Sequence, residues 1–135
     1  MKDGMKHFAP AGHKRWIIPG GYISATGHGP EPEMPGQETV SIINVSNIDA
    51  KIEIWIFYTD TEPVGPYQVL VPARRANHVR LNDLTDPSPI PPATDFAILI
   101  EADVAVVVQH TRLDSRQAEN ASMTSIAFAD IQPVV

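Results

Sequence analysis

The chain has 135 residues, a formal net charge of −6 and no cysteine. This length supports one domain with a real core. The charge removes any global electrostatic case for nucleic acid, and the missing cysteine excludes disulfides, thiolate nucleophiles and cysteine-ligated metals. Thirteen prolines argue against long helices and for short strands joined by fixed turns.

The opening MKDGMKHFAP has basic residues but no apolar stretch of the kind a secretory signal needs. No run of the sequence approaches a membrane span. The expectation is a soluble cytoplasmic protein with a flexible arm over 1–13. Residues 14–18 (KRWII) are the first strand candidate, closed by Pro19. GGYISATGHGPEPEMP (20–35) reads as a long irregular loop that covers a core or lines a site. His28, Glu31 and Glu33 within it offer metal ligands without a firm spacing.

Residues 39–45 (TVSIINV) and 51–59 (KIEIWIFYT) are strands joined by a turn, and they read as an antiparallel hairpin. In the second, Ile52, Ile54, Ile56 and Tyr58 share one face; Glu53, Trp55 and Phe57 share the other. That pattern suits a central strand whose second face meets another layer or a subunit. A strand over 67–71 ends at Pro72, and 78–81 is another short strand. NDLTDPSPIPPAT (82–94) is a second irregular loop, too rich in proline for a helix.

Residues 95–100 return to strand, and 101–103 read as a tight turn into VAVVV (104–108). If that strand runs on to Arg112, one face carries Val104, Val106, Val108, His110 and Arg112. A core strand then delivers polar groups to the rim of a sheet, which is how a rigid scaffold presents a binding site. Residues 121–128 are the last strand candidate. The whole reads as one antiparallel β-sandwich domain over 14–130, all-β, with about eight short strands and a tail at 131–135.

No catalytic motif is present: GxSxG, GxGxxG, HExxH and the Walker loop are all missing. The chain is read as not an enzyme and as needing no cofactor or metal. His78, His110 and Asp114 would form a metal site only if their strands adjoined. Arg74, Arg75, Arg80, Arg112 and Arg116 are half of the ten cationic residues. Their planar forks suit carboxylate, phosphate or sugar hydroxyls, or else they pair with nearby acids as structural staples.

Two long motifs carry a resemblance: EPVGPYQVLVPARRANHVRLNDL and DFAILIEADVAVVVQHTRLDSRQAEN. With them go Gly21-Tyr22-Ile23, Gly29-Pro30-Glu31-Pro32 and Glu38-Thr39-Val40. Together they resemble the sensory rhodopsin transducer family, the small soluble partners of a microbial light receptor. The resemblance covers Trp16 through Ala127. It implies a β-sandwich that forms a four-fold homotetramer and acts in the cytoplasm in signalling, without catalysis. It also implies a small-molecule ligand, a sugar or related metabolite. A membrane receptor is a further implied partner, and DNA another that the net charge disfavours. By motif position its candidate ligand-binding residues are Arg75, His78, Asn82, Asp83, His110, Arg112, Asp114, Arg116, Glu119 and Asn120.

Overall fold

The computed structural model describes residues 6–24, 36–114 and 121–130; for 114 and 121–126 it describes the backbone alone. The described chain is all-β. The strands are β1 (His13–Tyr22), β2 (Gln37–Asn44), β3 (Ala50–Tyr58), β4 (Val64–Val71), β5 (Arg75–Arg80), β6 (Asp95–Asp114), β7 (Ala121–Ile126) and β8 (Phe128–Ala129). One 3-10 turn, Leu81–Asp83, follows β5.

β6 is 20 residues long and belongs to both layers. Its first half pairs with β3 on one side and β1 on the other, in the order β4-β3-β6-β1-β8. Its second half pairs with β2 and β7, and β2 pairs onward with β5. Every one of these pairings is antiparallel. The core lies between the layers. Ile52, Ile54 and Ile56 of β3 and Ile98 and Ile100 of β6 face Val40 and Ile42 of β2 and Val106 and Val108 of β6, all buried. Each such side chain contributes roughly 1.5–3 kcal/mol of transfer free energy, an upper estimate because the unfolded chain is already partly compact.

The period-two pattern therefore places β3 and the 104–112 face of β6 as expected. Four local readings change. The tight turn expected at 101–103 is continuous strand: Glu101 and Ala102 still pair with β3, and Asp103 Oδ1 accepts the Lys51 N–H at 2.7 Å. Pro19 does not end β1. The register with β6 slips between Ile18 and Gly21, so Pro19 sits in a bulge where its missing N–H breaks no ladder bond. The last strand divides at Ala127 into β7 and β8. Finally, of the two covers expected for the outer face of β3, no second layer lies over it among the described residues: Trp55 is half-buried and Phe57 exposed.

The expected β2–β3 hairpin is also absent. β2 pairs with β5 and β6, whereas β3 pairs with β4 and β6. The link between them crosses from one layer to the other, and Asn44 fastens it. This side chain is fully buried, and its Nδ2 donates to the carbonyls of Ile48 (2.8 Å) and Val71 (3.0 Å). Its Oδ1 accepts from the Ser46 backbone and hydroxyl. A side chain that satisfies the crossing backbone removes the need for a tight hairpin turn.

Candidate functional site

On the inward faces of β2 and β6 the apolar stacking stops abruptly. Val106 and Val108 give way to His110 and Arg112, while Ile42 and Val40 give way to Glu38. The register places Val40 opposite His110 and Glu38 opposite Arg112. Glu38 is fully buried. Its Oε1 accepts from Arg112 Nε at 2.8 Å and from the Tyr22 backbone N–H at 2.7 Å. Its Oε2 bonds His110 Nε2. A carboxylate only accepts, so Nε2 of His110 carries the proton.

Taking a carboxylate out of water costs several kcal/mol, which only close and well-aligned partners offset. Here a guanidinium, an imidazole N–H and a backbone N–H converge on it. The 3-10 turn supplies a further tie. Asn82 Oδ1 accepts the Glu38 backbone N–H at 3.2 Å, and Asn82 Nδ2 donates to the Gly36 carbonyl at 2.8 Å. Glu38 thus joins β1, β2 and β6 through its side chain, and the segment after β5 through its backbone N–H.

Arg112 is the part of this cluster that meets solvent, with 29% of its side chain exposed. It borders a cleft of about 460 Å³ that Gly20, Gly21, Tyr22, Asp95 and Phe96 also line. A Cβ at Gly21 would stand 2.3 Å from the Phe96 ring, so only glycine allows β1 to approach that closely. The cleft offers a guanidinium, a carboxylate and an aromatic wall, a set able to bind a hydroxylated or anionic small molecule.

Of the ten residues singled out from the sequence, six have described side chains, and three of these are brought together. His110, Arg112 and Asn82 come together, through Glu38. Asp83 is exposed on the 3-10 turn beside Asn82. His78 lies on the outer face of the second layer, with Nδ1 at 2.8 Å from the Ser41 hydroxyl. It therefore faces away from His110, and the two cannot share a metal. Arg75 sits at the far end of β5, opposite Asn44, and its Nη1 donates to the Arg74 carbonyl. Asp114 closes the β6–β7 ladder opposite Ala121. Arg116, Glu119 and Asn120 lie outside the described residues, as do His28, Glu31 and Glu33. Among the described residues no three His, Asp or Glu side chains stand close enough to hold a metal ion.

Glu38 is the residue that sequence reasoning left out of the site. Its signal was available: it shares the inward phase of β2 with Val40 and Ile42. An acid in that phase is buried, and a buried acid needs partners. Which partners it finds is decided across a separation of 72 and 74 positions.

The family model for the Anabaena sensory rhodopsin transducer matches residues 11–129. The solved structure of the Anabaena sensory rhodopsin transducer is 53% identical, covers 76% of this chain and 98% of its own, and superposes with a TM-score of 0.69. A crystal structure from Thermotoga maritima is 30% identical, covers 88% of this chain and 96% of its own, and has a TM-score of 0.78. No curated protein matches.

Proposed function

The chain belongs to the Anabaena sensory rhodopsin transducer family, and from that premise we propose that it is a cytoplasmic relay for a membrane photoreceptor. It passes on the receptor's state by protein–protein contact rather than by catalysis. The carrying observation is the 53% identity to a protein named as a rhodopsin transducer, across 98% of that protein. In this reading the chain works as a homotetramer. One surface suited to self-association is the outer face of β2, β5 and β6, where Ile43, Ala76 and Val107 line an apolar cleft of about 360 Å³.

The test is association with a retinal-loaded microbial rhodopsin in nanodiscs, in the dark and under illumination. An affinity that changes with light supports the relay. Absence of association in both states overturns it.

A second reading rests on the cleft at Arg112. We infer a small-molecule ligand there, a sugar or related metabolite, because Glu38 holds the guanidinium in place and little entropy is lost on binding. Asn82, His110 and Asp83 belong to this reading, with Asp114, Arg116, Glu119 and Asn120 as further candidates. Arg75 and His78 stand apart from it. Calorimetry with neutral sugars and sugar phosphates, on wild type and Arg112→Lys, tests it. Lysine keeps the charge without the fork, so binding lost in that variant indicates planar recognition. No heat with any of these compounds overturns the reading. DNA binding is disfavoured by the net charge of −6 and would show itself as a steep fall of affinity with salt.

A further inference from the structure

Two arginines that neither the relay nor the Arg112 cleft uses stand together at the start of β5. Arg74 and Arg75 line a pocket of about 220 Å³ at the end of β2 remote from Glu38. Ile43, Val45 and Ala76 give the pocket hydrocarbon, and Phe8 gives it an aromatic ring. Phe8 is 47% exposed and Ile43 45%. The segment that carries Phe8 is tied down here. The Asn47 side-chain amide donates to His7 Nδ1, and Arg74 Nη1 reaches the Lys6 carbonyl at 3.5 Å.

The two guanidinium groups have no acid to answer them. Among the described residues the ion pairs are Arg15 with Glu101 and Asp130, and Glu38 with His110 and Arg112. Asp49 comes to the same turn, but its Oδ1 accepts the Ala73 N–H at 2.9 Å. Acids are not scarce, since the chain has 16 Asp and Glu against 10 Lys and Arg. Arg74 also has a φ of 56°, in the left-handed region where glycine or asparagine is the unstrained choice. Its N–H donates to the Ser46 carbonyl at 3.0 Å, which holds it in that conformation. Strain of this kind clusters where a side chain has a ligand to meet. Arg75 is pinned by its own chain, with Nη1 donating to the Arg74 carbonyl at 3.0 Å.

We propose that this pocket binds a small carboxylic acid with an aryl or branched aliphatic body, its carboxylate on Arg74 and Arg75 and its body against Phe8, Ile43 and Ala76. A guanidinium fork matches a carboxylate in plane and in charge. Exposed hydrocarbon beside it rewards an apolar body. A bare inorganic anion would leave that hydrocarbon uncovered, and a neutral analogue would leave the arginines unanswered. The site is separate from the Arg112 cleft and does not rest on the relay reading. Ile43 and Ala76 also border the cleft suited to self-association. A neighbouring copy is therefore the competing occupant, and Phe8, which does not border that cleft, separates the two.

The test is amide-resolved NMR of the nitrogen-labelled chain, titrated with phenylacetate, cyclohexanecarboxylate and isovalerate. Phenylacetamide and inorganic phosphate are the controls. At least one acid is expected to shift the Phe8, Val45 and Ala76 resonances saturably and to leave Gly21 and Phe96, beside Arg112, unmoved. Both controls should bind about tenfold or more weakly, the loss expected when a charge-assisted hydrogen bond or the apolar contact is missing. Arg74→Gly removes the guanidinium and the strained conformation together. It should melt no lower than wild type, yet bind the acid about tenfold or more weakly, and Arg75→Gln should show the same loss of affinity. Wild-type affinity in either variant overturns the proposal. So does equal binding of either control, or no saturable shift with any of the three acids. Shifts confined to Gly21 and Phe96 place the acid in the Arg112 cleft and overturn it as well. A lower sedimentation mass for Phe8→Ser marks the pocket as an interface between copies and overturns the ligand site.

Discussion

Arg112 and Glu38 are direct cross-strand partners on β6 and β2, joined by an Nε–Oε1 hydrogen bond of 2.8 Å. Arg15 and Asp130 are joined by an equally short contact, also 2.8 Å. The two pairs differ in burial: Glu38 is fully buried, whereas the Arg15 side chain is 48% exposed. Breaking a buried pair leaves an uncompensated charge and costs roughly 3–5 kcal/mol. An exposed pair contributes roughly 0–1 kcal/mol.

Glu38→Ala is therefore expected to lower stability by about 3 kcal/mol or more, and Arg15→Ala by less than about 1 kcal/mol. Urea denaturation checks both, read as a shift in midpoint at unchanged slope. Comparable losses in the two variants would contradict the burial argument.

Asn44 holds the link between the two layers through donor bonds to Ile48 and Val71. Asn44→Ala leaves those carbonyls unpaired in a buried setting, a cost of roughly 1–3 kcal/mol each where water does not enter. Asn44→Asp retains the volume but points an acceptor at acceptors. Its loss should be larger near neutrality than in mild acid, where a protonated carboxyl donates again. Denaturant melts at the two acidities decide it, and an Asp variant as stable as wild type at neutrality would show that the donor bonds do not matter.

At Gly21 the approach of β1 to Phe96 leaves no room, whereas at Gly20 a Cβ would meet nothing within 4 Å. Gly21→Ala is expected to destabilise by roughly 1–3 kcal/mol through overpacking, and Gly20→Ala by well under 1. Phe96→Leu should recover part of the Gly21→Ala loss, a non-additivity that a double-mutant cycle measures.

Burial, and secondarily the nearby Tyr67, raise the Tyr58 phenol above its ordinary 10.0. The folded chain then binds this proton more tightly than the unfolded chain does. The corresponding stability is fully present below the unfolded value and is lost as pH rises through the folded one. Tyr58→Phe should accordingly lose less stability than wild type as pH is raised from about 9 to 11. Parallel denaturation curves over that range, with an unchanged difference between the two proteins, would contradict it.

The period-two alternation in β3 and β6 was legible in the sequence, because side-chain direction along a strand is a local property of the backbone. The same holds for the all-β class, since prolines and glycines mark where strands stop. The burial of Glu38 was missed because the strand was read from Thr39 onward, although its phase with Val40 and Ile42 carried the signal. Pairing across the chain was a different matter. The sequence suggested a β2–β3 hairpin, yet β2 found β5 and β6 because Asn44 carries the chain into the other layer. Of the candidates implied by the resemblance, His78 lies on an outer face and Arg75 at a far end of β5, positions that no local pattern contains. The pocket beside Arg75 likewise draws on the segment before β1, on β2 and on β5, which are far apart in the chain. Local sterics set which way each residue points. Which residues then meet depends on loop closure across long separations and on which buried polar groups can be satisfied together, and both are decided only when the layers pack.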